Sequence, residues 1–415
     1  MWITYAFILL IQLKKSFYNN YIFCSFKMDV FVSIVYKLME EKYEDDFVDR
    51  MHYKYTPLII LLLGSVNIAK VYLGEAINCF QKAEFRSSWV QYSYSYCLIE
   101  NTYFLRTNES IPLEYEVRKE RQIAYYQWVP YILILQALIF YLPQLVWRSS
   151  NWFTGLHIGS FVQTFLKDKF GERIDENSRK VAKAIDGVTD IRHKYFGIID
   201  VNRFVTILYF TMKIFNMIIV LVNMFIYGQF IGEHLFGLSV IKHSGEWRNS
   251  GLFPRVTVCD FTINRLGQET SYTVECVLPL NMLNEKIFVL LWYWMLVLLT
   301  ANFINIINWI WGLSNRDKFY RTLQEFSDTR RKYQIYFSQI EKTDMLLNGS
   351  DEYSQSEAER VISTTYHNWD LYVAFRLIKA NLNLYTTSKI FDFWCDQQKP
   401  YEDNIEDDKL LNIKE

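Results

Sequence analysis

The chain has 415 residues and a formal net charge of −1; 51% of its residues are hydrophobic and 18% are aromatic. The near-zero net charge gives no electrostatic basis for binding nucleic acid, and 15 Gly and 7 Pro are too few for a loop-rich β fold. Because Trp and Tyr concentrate at lipid interfaces, the 12 Trp and 30 Tyr residues favour a membrane protein.

The N-terminal region begins with an apolar run, from Trp2 to Leu13, that is followed by two lysines. This run is too short to cross a bilayer as a helix, and it lacks the basic start and small-residue cleavage site of a signal peptide. We therefore interpret residues 1–27 as an N-terminal extension, an artefact of the gene model if translation starts at Met28. Residues 28–54 are expected to form a cytoplasmic N-terminal segment.

Four apolar segments approach or exceed the roughly 20 residues that a helix needs to cross a bilayer. A buried helix of a soluble protein is the alternative for any one of them, but four in one chain favour a membrane domain. Aromatic residues at the segment ends support this interpretation. The predicted spans are residues 55–73, 127–147, 205–230 and 287–312.

The third and fourth spans contain asparagines, and the third also contains a lysine; such side chains are costly against lipid and usually face other helices or water. Asn302, Asn305 and Asn308 recur every three residues, so they follow one side of the fourth span. Hydrogen bonding between helices explains such a row, and a polar wall beside an aqueous path is the alternative. The polar residues of the third span include Lys213, Asn216 and Asn223.

Four spans place both termini on one side of the membrane. Lys and Arg residues near the spans are more numerous on that side, which favours cytoplasmic termini. Residues 74–126 and 231–286 are then extracellular loops. Apolar residues at helical spacing predict a helical cytoplasmic domain from the loop at 148–204 and the C-terminal region at 313–399. Residues 400–415 are expected to be a disordered acidic tail.

Each extracellular loop contains a pair of cysteines at similar spacing, Cys79 with Cys97 and Cys259 with Cys276. Cysteines outside the cytosol form disulfides, so these residues predict a rigid extracellular head, and four cysteines permit three pairings. A metal site is the alternative, but the spacings far exceed the CxxC steps of structural zinc sites. The first loop also contains an N-glycosylation sequon at Asn108.

Alternating residues predict short strands in both loops. Tyr alternates with polar residues between Gln91 and Tyr96, which indicates a strand in the first loop. Residues 255–259 and 272–276 alternate and are rich in β-branched residues, which indicates a small sheet near the cysteines. The aromatic residues of the first loop either form a small core around the disulfides or present a surface.

Motifs of common enzyme classes are absent from the sequence, which has no P-loop, no HExxH and no GxSxG. The 6 histidines are scattered without the spacing of metal ligands. We therefore predict that the protein is not an enzyme and uses no metal or cofactor.

A hexapeptide at the start of the second span is specific, because it is rich in aromatic residues and falls at a defined membrane boundary. It resembles the signature of the innexins, the invertebrate gap-junction proteins, which also have two cysteines in each outer loop. The hexapeptide consists of Tyr125, Tyr126, Gln127, Trp128, Val129 and Pro130. Further innexin-like stretches are residues 45–50, 83–85, 101–104, 253–257 and 284–288.

The resemblance implies an all-α, four-span subunit of a plasma-membrane channel that passes ions and small metabolites between adjacent cells. Like or related subunits would form a ring of about eight in the lipid bilayer, and an opposing hemichannel on a neighbouring cell would dock through the outer loops. The resemblance also implies the disulfide pairs Cys79–Cys276 and Cys97–Cys259. The N-terminal segment would line the pore entrance, and the first span would contribute to the pore wall.

Several residues depart from the innexin pattern in regions that affect docking. An aromatic residue commonly follows both first-loop cysteines in the family, whereas Leu98 follows the second one here, and Lys82 stands where proline is common. A sugar on Asn108 would hinder docking and favour an undocked hemichannel that releases ions and metabolites. If translated, residues 1–27 would add bulk at a terminus that lines the pore.

Lys70 lies at the outer end of the first span, where a ring of subunits would create a ring of positive charge. Such a ring would influence ion selectivity, and snorkelling of the side chain to the interface is the alternative.

A function of a different class also fits the topology, namely a four-span membrane organiser or adhesion protein that has no pore.

Overall fold

The computed structural model describes residues 44–100, 102–106, 109–154, 157–168, 173–195, 203–232, 237–238, 251–265, 267–315, 317–319, 321–326, 329 and 369–397. The N-terminal extension at 1–27, Asn108 and the acidic tail at 400–415 lie outside the described residues. The chain divides into two compact units.

Four helices are long and apolar enough to cross a membrane, which confirms the predicted four-helix membrane protein. They are α1 (Phe47–Tyr72), α4 (Tyr125–Thr154), α7 (Phe204–Ile231) and α8 (Pro279–Ser314). The shorter helices are α2 (Ser87–Ile99), α3 (Tyr115–Glu120), α5 (Ile158–Lys167), α6 (Ile174–Tyr195), α9 (Trp369–Asn381) and α10 (Leu384–Gln397). The strands are β1 (Asn78–Cys79), β2 (Thr102–Tyr103), β3 (Gln122–Ile123), β4 (Val256–Arg265) and β5 (Gln268–Val277).

The long helices extend past the apolar segments that predicted them. With 36 residues, α8 is 10 residues longer than the segment at 287–312. At 1.5 Å per residue it rises about 54 Å, whereas the hydrocarbon core of a bilayer is about 30 Å thick. Polar residues such as Asn281 and Asn284 therefore continue the same helix beyond its apolar part.

The first unit, the sheet unit, contains the described residues within Lys54–Leu138 and Arg248–Ile287. Its sheet has five antiparallel strands in the order β1-β5-β4-β2-β3. The β4–β5 hairpin pairs along its whole length. Gly267 in its turn has φ +83°, which glycine adopts without a steric penalty. The sheet confirms the small β element that residues 255–259 and 272–276 predict.

The strand predicted between Gln91 and Tyr96 is wrong, because these residues lie inside α2. Tyr92 and Tyr96, four residues apart, contact each other with ring centroids 5.9 Å apart. Ser93 and Cys97, also four residues apart, are buried in α2. Six alternating residues are too few to separate a period of 2 from one of 3.6 when both faces carry aromatic groups.

The second unit, the helical unit, contains the described residues within Lys42–Tyr53, Ile139–Trp247 and Phe288–Glu415. Its core includes three aromatic rings in a chain, with Tyr209 lying 5.4 Å from Trp147 and 5.0 Å from Trp309 between ring centroids. Residues of α5, α6, α9 and α10 pack into the same core, which confirms the predicted helical domain.

Candidate functional site

Two buried disulfides join the segment between α1 and α4 to the β4–β5 hairpin. Cys79 on β1 is paired with Cys276 on β5 in the register of the sheet, and these two residues form one disulfide. Cys97, in the last turn of α2, forms the other with Cys259 on β4. The pairs are those that the innexin resemblance implies. The two polar loops therefore form one cross-linked body.

The two disulfides lie side by side. The sulfur atoms of Cys79, Cys97 and Cys276 all lie within 4.8 Å of one another. A metal would need thiolate ligands, and these three sulfurs are held in disulfides. Their proximity has a different consequence: a thiol released at one position would have the neighbouring disulfide within reach for exchange.

A small aromatic core surrounds the disulfides. Phe261 stacks on Tyr272 with ring centroids 5.6 Å apart, and Phe85 meets the edge of Tyr272 at 5.1 Å. Tyr96 approaches Phe261 from α2 at 6.3 Å. Of the two roles expected for the loop aromatics, core packing is therefore the one that Phe85 and Tyr96 have.

We expect Phe261→Ala to destabilise the protein by about 3–5 kcal/mol, because it removes a fully buried ring and leaves a cavity between its aromatic neighbours. Thermal unfolding of the purified protein in detergent measures the loss. Phe80→Ala is the matched control, since this side chain is 83% exposed and its removal is expected to change the melting temperature very little. Equal shifts for the two variants would contradict the assignment of Phe261 to the core.

The hexapeptide at the start of α4 caps the end of α2. The Tyr126 hydroxyl donates to the Cys97 carbonyl at 3.3 Å. Nε2 of Gln127 donates to the carbonyls of Leu98 and Ile99 at 2.5 and 2.9 Å. The last carbonyls of a helix have no partner within the helix, so α4 supplies the donors that α2 lacks. This part of the signature therefore fixes the helix end that carries Cys97, a role that its sequence position alone did not reveal.

Of the remaining hexapeptide residues, Tyr125, Val129 and Pro130 contact the rest of the protein, and Trp128 is exposed. The Tyr125 hydroxyl donates to the Leu252 carbonyl at 3.0 Å, and Val129 and Pro130 are buried. Trp128 is exposed. An exposed Trp at the start of a membrane helix is typical of an anchor at the lipid interface.

An ion pair fastens α3 to the sheet. Nη1 of Arg118 lies 2.7 Å from Oδ2 of Asp260, whose other oxygen accepts hydrogen bonds from Thr273 at 2.7 Å and Tyr103 at 3.3 Å. Burial and the negative charge of Asp260 raise the pKa of Tyr103 to about 12. The Tyr103 hydroxyl therefore keeps its proton and its hydrogen bond throughout the physiological pH range.

Outside its membrane helices, the most exposed large apolar side chains described in the sheet unit are Leu113, Phe80 and Ile99. Leu113 is 96% exposed, Phe80 83% and Ile99 66%. The backbone of Phe80 is fixed, because its N–H donates to the Glu275 carbonyl at 2.7 Å and it follows Cys79 directly. Single exposed apolar residues are ordinary, and these three side chains are candidates for contact with a partner.

In the helical unit, Lys213 of α7 is buried between two carboxylates. Its Nζ atom lies 2.9 Å from both Asp46 and Asp49, and 4.6 Å from the centroid of the Tyr209 ring. We call Lys213, Asp46 and Asp49 the charged anchor. An unpaired cation would be costly inside a membrane helix, so the two carboxylates explain how α7 accommodates a lysine.

Further hydrogen bonds complete the charged anchor. Asp46 caps α1 by accepting from the Asp49 N–H at 3.0 Å. It also accepts from Nδ2 of Asn305 at 2.9 Å and from Nε1 of Trp309 at 3.0 Å. Burial alone would raise the pKa of the Asp46 carboxyl, but the Lys213 charge and these donors outweigh burial and hold the pKa well below its usual range. Of the two roles expected for the asparagine row of α8, Asn305 therefore has the first, because it forms a hydrogen bond with a residue outside its own helix.

Sequence reasoning found Lys213 but not its partners. Residues 45–50 stood out only because they resemble a family stretch, with no role assigned to Asp46 or Asp49. A usable signal was present, since a lysine inside an apolar span requires a carboxylate nearby and acidic residues immediately precede the first span.

Lys70 lies in the last turn of α1, where a cation interacts favourably with the helix dipole. A Cβ added at Gly74 would lie 3.0 Å from Cδ of Lys70, so the lysine stem passes close to this glycine. Its role as a pore charge stays a prediction. Glycosylation of Asn108, which lies outside the described residues, also stays a prediction.

Comparisons with known proteins connect both units to one family. The innexin family model matches residues 45–397. The chain is 36% identical to innexin unc-9 of Caenorhabditis elegans over 288 residues, which are 65% of this chain and 74% of that protein. It is 35% identical to innexin-3 of the same species over 297 residues, or 67% and 71% of the two chains. Innexin eat-5, also from C. elegans, is 29% identical over 323 residues, or 71% and 74%.

Proposed function

Since this chain belongs to the innexin family, whose members are gap-junction channel proteins, we propose that about eight copies form a ring that docks with an opposing hemichannel. The chain is a multi-pass plasma-membrane protein of gap junctions and assembles with like subunits. It is not an enzyme, because conduction needs a wetted path and suitable lining charges rather than covalent chemistry. The docked pair would pass ions and small metabolites between adjacent cells.

The sheet unit is the observation that carries this proposal. Docking requires a surface that keeps its shape without a partner, and two buried disulfides fasten α2 and β1 to the β4–β5 hairpin. The exposed side chains of Phe80, Ile99 and Leu113 form the apolar part of the proposed docking surface.

We place the sheet unit outside the cell and both termini in the cytoplasm. Disulfides persist in oxidising compartments and are rare in the cytosol, and both disulfides lie in the sheet unit. The predicted loops at 74–126 and 231–286 are then extracellular, and the loop at 148–204 and the region at 313–399 are cytoplasmic.

Dye transfer between paired cells that express this chain, with current recording from single cells alongside, tests the function. We expect transfer between the paired cells. Current without transfer would favour an undocked hemichannel, and recovery of transfer in Asn108→Gln would then assign the block to a sugar on Asn108. Surface expression with neither transfer nor current would favour the non-conducting membrane organiser. An averaged image of the purified assembly along its axis would give the number of subunits in the ring.

We expect Lys70→Glu to shift charge selectivity toward cations, because every subunit would contribute a negative instead of a positive charge at the same height of the pore. Reversal potentials under an ion gradient measure the shift. Lys119→Glu on α3 is the matched control, since it makes the same charge change on an exposed helix of the sheet unit. An unchanged reversal potential in Lys70→Glu, or an equal shift in the control, would contradict a pore position for Lys70.

A further inference from the structure

The C-terminal end of α8 borders an open groove in the helical unit. The groove has a volume of about 670 Å³ and is lined by Ile307, Ile310, Trp311, Ser314 and Asn315, which we call the α8 groove. Trp311 is 58% exposed. The groove changes character along the helix, because its first three residues are apolar or aromatic and its last two are polar.

A lysine stands at the polar end of the α8 groove. Nζ of Lys318 lies 4.8 Å from the centroid of the Trp311 ring and 3.1 Å from Oδ1 of Asn308. Asn315 fixes this end, because its Oδ1 accepts from the Lys318 N–H at 3.3 Å. An ammonium group has three donors, and Asn308 accepts one of them. Within the described part of the chain, no carboxylate lies within ion-pair distance of this ammonium.

The apolar end of the groove continues along the exposed face of a membrane helix. Phe303, Ile304, Ile307 and Ile310 are all exposed and recur at helical spacing. Because α8 is apolar enough to span a bilayer, this face suits lipid chains. Trp residues at the end of a membrane helix are typical of the headgroup region of the bilayer. Trp311 and Lys318 are therefore expected at the level of the lipid phosphates.

We propose that the α8 groove binds an anionic phospholipid. The acyl chain would lie against Ile307 and Ile310, and the glycerol region against Trp311. The phosphate would accept hydrogen bonds from Lys318 and from the polar groups of Ser314 and Asn315. This site goes beyond the channel function, since neither docking nor conduction requires it.

Charge complementarity selects lipid over a second copy of the chain. A second copy packed on this face would desolvate the Lys318 ammonium, which is costly unless that copy supplies a carboxylate. An anionic lipid supplies the compensating charge together with chains that match the isoleucines. One lysine near the membrane surface is expected to raise the affinity for an anionic lipid about fivefold over that for a zwitterionic lipid.

Quenching of Trp311 fluorescence by brominated lipids tests this site on the full chain reconstituted in vesicles. The Trp311 signal is the difference between the wild type and Trp311→Phe. We expect half-maximal quenching at a mole fraction of brominated phosphatidylserine about fivefold lower than that of brominated phosphatidylcholine. Lys318→Gln should remove the difference between the two lipids, and Lys318→Arg should retain it. Lys379→Gln is the control, because Lys379 already pairs with Glu325 at 2.7 Å.

Equal quenching of wild-type Trp311 by both lipids would overturn the proposal, since it would mean that only bulk lipid covers the face. Absence of quenching would also overturn it, because the face would then be covered by protein. Both outcomes are read from the wild type and Trp311→Phe alone, so they hold even if a lysine variant fails to fold. A preference that survives in Lys318→Gln would likewise reject Lys318 as the headgroup ligand.

Discussion

Cys79→Ser is expected to abolish coupling between paired cells while the subunit still reaches the plasma membrane. The Cys79–Cys276 disulfide closes a loop of 197 residues, and losing a native disulfide costs about 2–5 kcal/mol. The loss is local, because β1 has only two residues and depends on β5 for its pairing. Junctional conductance and surface biotinylation, measured on the same cells, separate docking from delivery to the membrane.

The proximity of the two disulfides refines this experiment. In Cys79→Ser the freed Cys276 thiol lies within 4.8 Å of the Cys97 sulfur, so exchange can produce a wrong pair. The double variant Cys79→Ser/Cys276→Ser leaves no such thiol and isolates the loss of the cross-link. Cys395→Ser on α10 is the control, because Cys395 belongs to neither disulfide. Normal docking and conductance in the double variant would contradict a docking role for this disulfide.

Lys213→Met is expected to destabilise the protein by about 3–5 kcal/mol, because it leaves the buried carboxylates of Asp46 and Asp49 without their cation. The methionine keeps much of the side-chain volume, so the effect reports charge rather than a cavity. Thermal unfolding in detergent measures the loss. Because the pKa of Asp46 is held below its usual range, the stabilisation by Asp46 is present above its ordinary pKa and disappears only at lower pH.

Two further variants isolate the interaction within the charged anchor. Adding Asp49→Asn to Lys213→Met removes one of the stranded charges and should restore part of the stability, as a double-mutant cycle would show. Lys180→Met breaks an exposed pair with Glu176 on one helix, and such pairs contribute about 0.3–0.5 kcal/mol. Equal losses in Lys213→Met and Lys180→Met would reject the charged anchor as a structural element.

The membrane helices and the hairpin could be predicted because their signals are local. Apolar segments with at most one charged residue predict spans by length and hydropathy alone, and β-branched alternation at 255–259 and 272–276 predicts the hairpin. The strand prediction at 91–96 is wrong because the alternating pattern is short. The contacts that stabilise this segment as a helix join Tyr96 and Cys97 to β4, more than 150 residues away along the chain.

The site could be predicted only in part, because its contacts are distant along the chain. The cysteines were found by type and spacing, but their pairing came from the family resemblance rather than from the residues. The capping of α2 by Gln127 joins segments 28 and 29 residues apart, and the charged anchor joins Asp49 to Lys213 across 164 residues. No periodicity in the sequence encodes such pairs, so the fold was needed to find them.

Junctional conductance under dual voltage clamp, in cell pairs that express only this chain, tests the central claim most directly. A disulfide-bonded head that docks two rings predicts conductance between wild-type pairs. It also predicts loss of that conductance when either cell of the pair carries the Cys79→Ser/Cys276→Ser double variant, although that variant still reaches the surface. Wild-type pairs without junctional conductance despite surface expression would contradict the channel function, and undiminished conductance with the double variant would contradict the role of the head.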